Sequence, residues 1–456
     1  MAVDTLLERI TDYANCPDPY ALYAELREAG VARQTDGSYL VGGYYDIVAL
    51  FHNPRLSSDR RNRAGTYSGL PAEEEEPQPF IRLDDPEHHR LRSLATRPFG
   101  PPHNPGRIDA MRDEITRITD ELIESLQGRT RVDIVDDFAY PLPVTVICRL
   151  LGVPREDEPT FREWSNAITD SGDIRPGEDL TMRQQAGTQA RAQMGRYLVD
   201  LAEQRRGHPG DDMLSAFVND PDPTGGLTRE ELAATAVLLL VAGHETTVNL
   251  ITNGVLTLLR HPDQLERLRR EPDLLPGTVE ELLRYEPPVH LLDRTPLAHV
   301  DVAGTTIPKG VPVVLALASA NRDPKRFRDP DRFDPTRRDN QHLGFGSGIH
   351  ICYGAPLARV EAQIALGALL PHLATATLVE DPPPYRHSAV LRGPGTFPSS
   401  WPRRRRRNEP PRRGDGTEAA HGTELLSHGR AGSQISLTVA KQAIACRSMW
   451  APVSCP

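Results

Sequence analysis

The sequence predicts a mainly α-helical protein with small β-sheets. Apolar residues recur at helical spacing along most of residues 1–401, with capping residues ahead of the runs and proline-rich breaks between them. Strand-like alternation is confined to two segments, Tyr39 to Ile47 and Ala298 to Leu315. The chain has 456 residues and no internal repeat, so it is long enough to bury a sizeable core.

The first irregular segment is long, from Arg60 to Pro86, and holds Glu73 to Glu76 between prolines. Loops of this length in compact domains are usually functional or mobile. A solvated acidic loop is the simpler interpretation. The helix predicted after Pro86 carries His88 and Arg92 four residues apart, which places both on one face.

One long helix is predicted from Thr228 to Leu259, where Thr228 and Glu231 form a capping-box pattern. At 1.5 Å per residue it spans about 48 Å. Its middle, Ala242-Gly243-His244-Glu245-Thr246-Thr247, interrupts an apolar run with polar groups that are costly to bury without hydrogen bonds. A helix surface facing a cofactor explains that cost. An exposed polar turn is the alternative for the motif in isolation.

A carboxylate and a guanidinium lie three residues apart in Glu281-Leu282-Leu283-Arg284, close enough to pair on one helix face. Such pairs are common on solvated helices, and Thr278 with Glu281 equally fits a capping box. The pair alone therefore assigns no role.

The most informative segment sets one cysteine in a glycine-rich loop that opens an apolar helix: Phe345-Gly346-Ser347-Gly348-Ile349-His350-Ile351-Cys352-Tyr353-Gly354. Glycines let the backbone pass close to a large flat ligand, and amide groups at a helix N-terminus stabilise a thiolate. A haem iron is the natural acceptor for such a sulfur. An isolated cysteine is more often an ordinary buried thiol, so this assignment depends on the surrounding ten residues.

Composition excludes several classes of protein. The formal net charge of −10 argues against nucleic-acid binding over the whole surface. The start of the chain has no basic stretch followed by an apolar run, and the apolar run Ala236 to Ala242 is far shorter than a membrane span. The five scattered cysteines show no disulfide framework; they are Cys16, Cys148, Cys352, Cys446 and Cys455. We expect a protein of the reducing cytoplasm without membrane attachment.

Composition changes at Trp401. Residues 402–456 carry ten Lys and Arg against four Asp and Glu, beginning with Arg403 to Arg407, and contain proline, glycine and serine-rich stretches. We predict one domain over 1–401 followed by a basic, disordered tail over 402–456. A patch for an anionic partner and an altered reading frame at the end of the gene are the alternatives.

Together these segments resemble the bacterial cytochrome P450 family, and their order is most similar to actinobacterial biosynthetic members. The haem-binding loop of that family reads Phe-Gly-x-Gly-x-His-x-Cys-x-Gly, and every fixed position is filled from Phe345 to Gly354. The resemblance runs from Asp18 to Trp401, so the tail lies outside it. Tyr353 departs from the usual leucine, and packing or a hydrogen bond at this position can tune the nearby thiolate.

The resemblance implies the cytochrome P450 fold, with haem b between the long central helix and the cysteine loop. Cys352 is then the axial thiolate, and the loop residues around the cofactor are Phe345, Gly346 and Gly354. Partners of the haem propionates are implied at His88, Arg92, Arg294 and His350.

On the central helix, the resemblance implies that Ala242 and Gly243 leave room for dioxygen. Glu245 and Thr246 then act as the acid and the alcohol that carry protons to it, with Glu245 connecting the relay to solvent. Glu281, Arg284 and Arg332 are implied to form a buried charge network that holds the cysteine loop in place.

The substrate pocket follows by analogy alone, with the segment from Arg60 to Pro86 as the loop above it. The expected lining residues are Val241, Val289, His290, Leu291 and Phe397. His290 and His244 would add polarity, which favours an oxygenated or aromatic substrate over a plain alkane.

The implied activity is monooxygenation, either hydroxylation or epoxidation, of a natural-product intermediate such as a polyketide, macrolide, terpenoid or aromatic compound. The chain has neither a nucleotide-binding fingerprint nor a cysteine cluster. Electrons from NAD(P)H are therefore expected through a ferredoxin and a ferredoxin reductase, with the protein acting as a monomer. A haem-thiolate oxidase that couples phenols or desaturates, and a non-catalytic haem or small-molecule binder, are the other hypotheses.

Overall fold

Helices dominate the architecture, as the periodicity predicted. The computed structural model describes residues 5–65, 78–100, 104, 106–172, 180–220 and 225–401, all within one unit spanning Met1–Arg404. The predicted tail and the acidic run Glu73 to Glu76 lie outside the described residues.

The described residues form fifteen α-helices, which we number in chain order. They are α1 Leu6–Thr11, α2 Tyr20–Ala29, α3 Tyr44–Phe51, α4 Glu87–Phe99, α5 Arg107–Ala110, α6 Arg112–Ser125, α7 Pro141–Leu151, α8 Glu158–Ser171, α9 Leu180–Glu203, α10 Met213–Val218, α11 Arg229–Arg260, α12 Pro262–Arg270, α13 Leu275–Tyr285, α14 Leu317–Ala320 and α15 Ala355–Leu373.

Ten short strands accompany the helices: β1 Val31–Arg33, β2 Tyr39–Val41, β3 Leu56–Ser57, β4 Arg131–Asp133, β5 Leu291–Pro296, β6 Val300–Val302, β7 Thr305–Ile307, β8 Val313–Ala316, β9 Thr377–Leu378 and β10 Pro398–Ser400. They form sheets with the orders β1-β2-β8-β5-β3, β4-β10-β9 and β6-β7. Strands β2 and β8 pair in parallel, with Tyr39 opposite Val313, whereas the other pairs are antiparallel.

The strand expected from Tyr39 to Ile47 is only partly present. Strand β2 ends at Val41, and helix α3 begins at Tyr44 with Gly43 as its N-cap residue. Ile47 is fully buried on that helix. A buried apolar run of this length fits either element, and here the glycine pair Gly42-Gly43 marks the change.

The central helix α11 confirms the predicted capping box. The Thr228 hydroxyl accepts from the Glu231 backbone N–H, and the Glu231 carboxylate accepts from the Thr228 N–H. Helix α11 is also the one helix of the described residues that is long and apolar enough to cross a membrane. Because 67% of its most apolar 18-residue stretch is buried inside the protein, α11 packs as a core helix.

Candidate active site

The cysteine loop is fixed by two glycines in left-handed backbone conformations, Gly346 at φ +70° and Gly348 at φ +72°. A Cβ added at Gly348 would lie 2.5 Å from the Phe51 carbonyl oxygen, so a larger residue would displace the backbone. The Cys352 backbone N–H donates to the Phe345 carbonyl at 2.8 Å. These contacts hold the sulfur in one place ahead of α15.

The Cys352 side chain is exposed. Burial raises the pKa of Cys352, while the backbone N–H groups of Gly354 and Ala355 and the charge of Arg92 act in the opposite direction. These amides begin α15, where the helix dipole also favours negative charge. A cation bound to the sulfur would supply the remaining stabilisation of a thiolate.

Tyr353 does not direct its hydroxyl at the thiolate. Its O–H donates to the Ala95 carbonyl at 2.6 Å, and its ring stacks on Phe99 with centroids 4.6 Å apart. The residue instead ties the cysteine loop to α4. Any influence on the neighbouring sulfur is therefore through packing.

The four predicted propionate partners converge beside this loop. Arg92 donates to the Ile351 carbonyl at 2.6 Å, and the rings of His88 and His350 lie 4.2 Å apart. Burial, with the positive charges of His88, Arg294 and Arg92, lowers the pKa of His350 to about 3. Burial also lowers the pKa of His88, so two guanidiniums and two neutral imidazoles meet beside the loop.

Two buried nitrogens in this cluster have no hydrogen-bond partner, His88 Nε2 and His350 Nδ1. An unpaired buried polar atom costs about 1–3 kcal/mol, and an anionic oxygen from a ligand would relieve it. The two guanidiniums, the unpaired imidazole nitrogens and the accessible thiol fit a ligand with two carboxylates and a metal ion. The residues present therefore fit haem.

Helix α11 carries the residues that are predicted to face dioxygen. Ala242 is exposed and Val241, Gly243 and Thr246 are partly exposed, although they lie midway along a mostly buried helix. The Thr246 hydroxyl donates to the Ala242 carbonyl at 2.9 Å. A Cβ at Gly243 would lie 3.0 Å from Ile147 Cδ1, so α11 packs closely against α7 at this position.

Glu245 occupies a different environment from the one expected. It is 1% exposed, forms an ion pair with Arg386, and lies 3.4 Å from His244 Nε2. Burial disfavours the carboxylate, but His244 and Arg386 outweigh it and lower the pKa of Glu245. The carboxylate has almost no surface of its own in solvent, and the connection of Glu245 to solvent stays a prediction.

Arg386 was missed in the sequence because its partner lies 141 residues away. The arginine stands on the irregular segment between β9 and β10, where no local pattern assigns a role. Only the fold brings it to α11.

The five expected substrate-pocket residues divide into two groups. Val241 and Val289 keep accessible surface. His290, Leu291 and Phe397 are only 1%, 3% and 0% exposed. His290 is hydrogen-bonded to the Tyr23 hydroxyl at 3.0 Å, so its polarity serves a buried contact with α2.

His244 likewise contributes no polarity to open space. It is 1% exposed, and its Nδ1 lies 2.8 Å from the Leu240 carbonyl oxygen. The hint of an oxygenated or aromatic substrate, which rested on His244 and His290, thus loses its support.

The buried charge network is present, with one member changed. Arg284 Nε and Nη2 donate to the Glu281 carboxylate at 2.8 and 2.7 Å, and both residues are fully buried. The prediction of Arg332 as the third charge is wrong: its side chain is exposed, and only its carbonyl accepts from Arg284, at 3.1 Å. The second guanidinium is that of Arg337, whose Nε lies 3.2 Å from Glu281 Oε2.

The chain is similar to known proteins over most of its length. The cytochrome P450 family model matches residues 39–398. The chain is 43% identical to the cytochrome P450 monooxygenase PikC of Streptomyces venezuelae, over 85% of this chain and 92% of the relative. It is 39% identical to the 6-deoxyerythronolide B hydroxylase of Saccharopolyspora erythraea, over 82% and 94%.

Solved structures are also similar to this chain. The crystal structure of ligand-free CYP164A2 from Mycobacterium smegmatis superposes with a TM-score of 0.79 at 38% identity, covering 87% of this chain and 99% of that one. The family match, the thiol loop and the cation cluster at its side lead to one conclusion. The chain belongs to the cytochrome P450 family and is a haem monooxygenase of that type.

Proposed function

We propose that this protein inserts one oxygen atom into a polyketide-type natural-product intermediate, by hydroxylation or epoxidation. The observation that carries the proposal is the acid–alcohol pair on α11. Thr246 stands beside the accessible Ala242 surface, and Glu245 next to it is held as a carboxylate by Arg386. A protein that only bound haem or a small molecule would need no built-in route for protons.

The substrate class rests on similarity. The name of one relative states that it hydroxylates 6-deoxyerythronolide B, and 82% of this chain matches that relative. The accessible residues Val241 and Val289 are aliphatic, which suits the largely apolar body of a macrolactone.

The cofactor we propose is haem b, held by Cys352 and by the cation cluster of His88, Arg92, Arg294 and His350. When bound, haem supplies the activation of dioxygen. The chain contributes three things: amides that stabilise the thiolate, nitrogens and guanidiniums that receive the propionates, and a relay of protons through Glu245 and Thr246.

We further propose that electrons arrive from NAD(P)H through a ferredoxin and its reductase, with the protein acting as a cytoplasmic monomer. The cysteine loop exposes two large apolar side chains close to Cys352 in the sequence, Ile349 at 53% and Ile351 at 49%. Exposed apolar residues beside a redox centre suit transient docking of a small electron carrier.

The decisive experiment is the absorption spectrum of the dithionite-reduced protein with and without carbon monoxide, for wild type and Cys352→Ala. We expect a long-wavelength Soret band in the wild type that disappears in the variant. A band at the shorter wavelength typical of histidine ligation, or no haem at all, would refute the site.

The reaction type is then tested by mass spectrometry of products from a set of macrolactones, including 6-deoxyerythronolide B. Oxygen insertion adds the mass of one oxygen atom. A product that lacks two hydrogens, or a coupled phenol dimer, would instead establish an oxidase.

A further inference from the structure

Three arginines converge on one carboxylate beside the candidate active site. Arg60 and Arg63 follow strand β3, Arg82 ends the turn Phe80–Arg82, and the carboxylate is that of Asp293 on β5. Arg60 Nη2 lies 3.0 Å from Asp293 Oδ1, and Arg63 forms an ion pair with Oδ2 of the same carboxylate. Arg82 Nη1 is more distant, at 3.6 Å from Oδ1. We call these four residues the arginine cluster.

The arginine cluster carries more positive charge than its own carboxylate balances, since three guanidiniums share Asp293. Two other carboxylates of the same segments are bound elsewhere. Asp59 accepts from Arg61 Nε at 2.9 Å. Asp84 accepts from the Ser57 hydroxyl at 2.5 Å and from the Ser58 backbone N–H at 2.9 Å. The cluster therefore keeps a surplus of positive charge.

Several donors of the arginine cluster also have no acceptor. Arg82 makes no hydrogen bond to any residue that the structure describes, and Arg63 Nε is buried without a partner. Partial burial, and then repulsion from Arg60, lowers the pKa of Arg82 to about 10. A guanidinium presents its N–H donors in a planar fork that matches a carboxylate or a phosphate. An anion bound here would balance the charge and accept from the unused donors.

A ligand can reach these donors from solvent. The side chains of Arg60 and Arg82 keep 35% and 36% of their surface accessible. Ile81, next to Arg82 in the chain, is a large apolar residue that is 44% exposed. Unused cationic donors beside an accessible apolar side chain suit a ligand with an apolar body and one charged end.

The arginine cluster adjoins the predicted haem site but differs from the predicted propionate partners. Phe80, in the same turn as Arg82, has its ring 5.8 Å from the ring of Tyr353 in the cysteine loop. Arg294, one of the propionate partners, directly follows Asp293 on β5. Because successive residues of a strand point to opposite faces, Asp293 and Arg294 project to different faces of the sheet. The cluster is therefore available to a second anion.

We propose that Arg60, Arg63 and Arg82 form a subsite for an anionic group of the substrate, a carboxylate or a phosphate. The proposal rests on the proposed function and narrows the substrate to an acidic polyketide-type intermediate. The anion accepts from Arg82 and from Arg63 Nε, the donors that Asp293 does not use, while Ile81 contacts the adjoining apolar part. The subsite binds and orients the substrate and takes no part in the oxidation.

Paired ligands test the preference for charge. Straight-chain fatty acids and the alcohols of the same chain lengths share an apolar body and differ in the charged end. We expect the haem-loaded protein to bind the best fatty acid roughly tenfold more tightly than its alcohol in isothermal titration calorimetry, as one charge-assisted hydrogen bond provides. Equal affinity for each acid and its alcohol, or binding of neither series, would overturn the proposal.

Substitutions then locate that preference. Arg82→Met should weaken binding of the acid roughly tenfold and leave binding of the alcohol unchanged, because a charged donor is lost. Arg82→Lys keeps the charge but not the planar fork, so its affinity for the acid should lie between those of wild type and Arg82→Met. The matched control is Arg55→Met, which replaces an exposed arginine just before β3 and should resemble wild type. Equal losses for acid and alcohol in Arg82→Met would indicate a structural role and contradict the subsite.

Two further measurements separate other anions from the substrate. Inorganic phosphate is titrated in the same way, and if it bound as tightly as the best fatty acid, the cluster would serve a free anion instead. Haem transfer to an acceptor protein should be as slow from Arg82→Met as from wild type. Release as fast as from Arg294→Met would assign the cluster to the propionates and refute the proposal. Binding is measured without turnover, so failure of the subsite and failure of the proposed oxygen insertion are separate results.

Discussion

At the scale of single residues, Glu245 depends on a charge supplied from a distant part of the chain. Its carboxylate is 1% exposed, while the Arg386 side chain keeps 21% of its surface in solvent. An ion pair of this kind contributes little by itself, but losing one partner leaves a buried charge uncompensated.

We therefore expect Arg386→Gln to destabilise the protein by about 3 kcal/mol at neutral pH, measured by urea unfolding. Because the pKa of Glu245 is lowered in the folded state, its contribution is present above the ordinary pKa and is lost as pH falls through the folded value. The cost of Arg386→Gln should shrink toward acid pH. Combining it with Glu245→Gln should restore most of the stability, and failure to do so would show that Arg386 acts elsewhere.

Glu361 on α15 gives the opposite pH dependence. It is 1% exposed, its Oε2 has no partner, and burial raises its pKa to about 8. The pKa of Glu361 is higher in the folded protein than its ordinary value of 4.5. Its contribution to folding stability is therefore fully present below pH 4.5 and is lost as the pH rises toward 8. The free energy of unfolding then falls by at most about 1.4 kcal/mol per pH unit.

Glu361→Gln should remove this slope, so the variant gains stability over wild type as pH rises from 5 to 8. Urea unfolding at several pH values measures it, with the exposed Glu163→Gln as the control. An unchanged slope in Glu361→Gln would mean that the carboxyl is ionised in the folded protein.

At the scale of elements, the network around α13 joins a helix to the irregular chain that precedes the cysteine loop. Glu281 accepts from Arg284, Arg337 and Asn340 side chains and from the Asp334 backbone N–H. These contacts gather residues 334–340 onto the helix, a few residues ahead of Phe345. The network therefore fixes where the loop begins.

Arg337→Met should lower the free energy of unfolding by about 3 kcal/mol, because it breaks a buried ion pair. Arg332→Met should lower it by less than about 0.5 kcal/mol, because that side chain is exposed. Urea unfolding of the two variants compares them directly. Equal losses of stability in the two variants would show that the Arg332 side chain belongs to the charge network.

The elements also show what could be predicted from sequence. The capping box at Thr228 joins residues three apart, so local pattern was sufficient. Glu281 and Arg284 have the same spacing, but only the family resemblance implied that their pair is buried. The choice between Arg332 and Arg337 depends on how an irregular segment turns, and no periodicity describes that. Burial of His290 and Phe397 depends on packing against α2 and the core, which analogy with a pocket did not provide.

At the scale of the whole molecule, we expect the cation cluster of His88, Arg92, Arg294 and His350 to link the stability of the fold to ligand binding. Arg294 lies with Arg92 near His350, and burial lowers the pKa of Arg294 although Asp293 and Asp84 act in the opposite direction. Ligand carboxylates would compensate for that charge, and binding to the folded state alone raises its stability.

Arg294→Met should therefore release haem roughly tenfold faster, as loss of outer contacts commonly weakens a bound metal group, without lowering the stability of the haem-free protein. Transfer of haem to an acceptor protein measures release, and urea unfolding measures stability. Arg33→Met, an exposed change on β1, is the control. If haem retention did not change, the propionates would lie elsewhere.

The parallel pairing of β2 with β8 constrains how the protein is made. On the edge that faces β8, residues 39–41 of β2 have no partner strand until residues 313–315 have been synthesised. At about 5–20 residues per second, the ribosome needs roughly 15–55 s to complete that interval. During this time the N-terminal strands present an unpaired edge, so we expect chaperones or early helix packing to protect the nascent chain from aggregation.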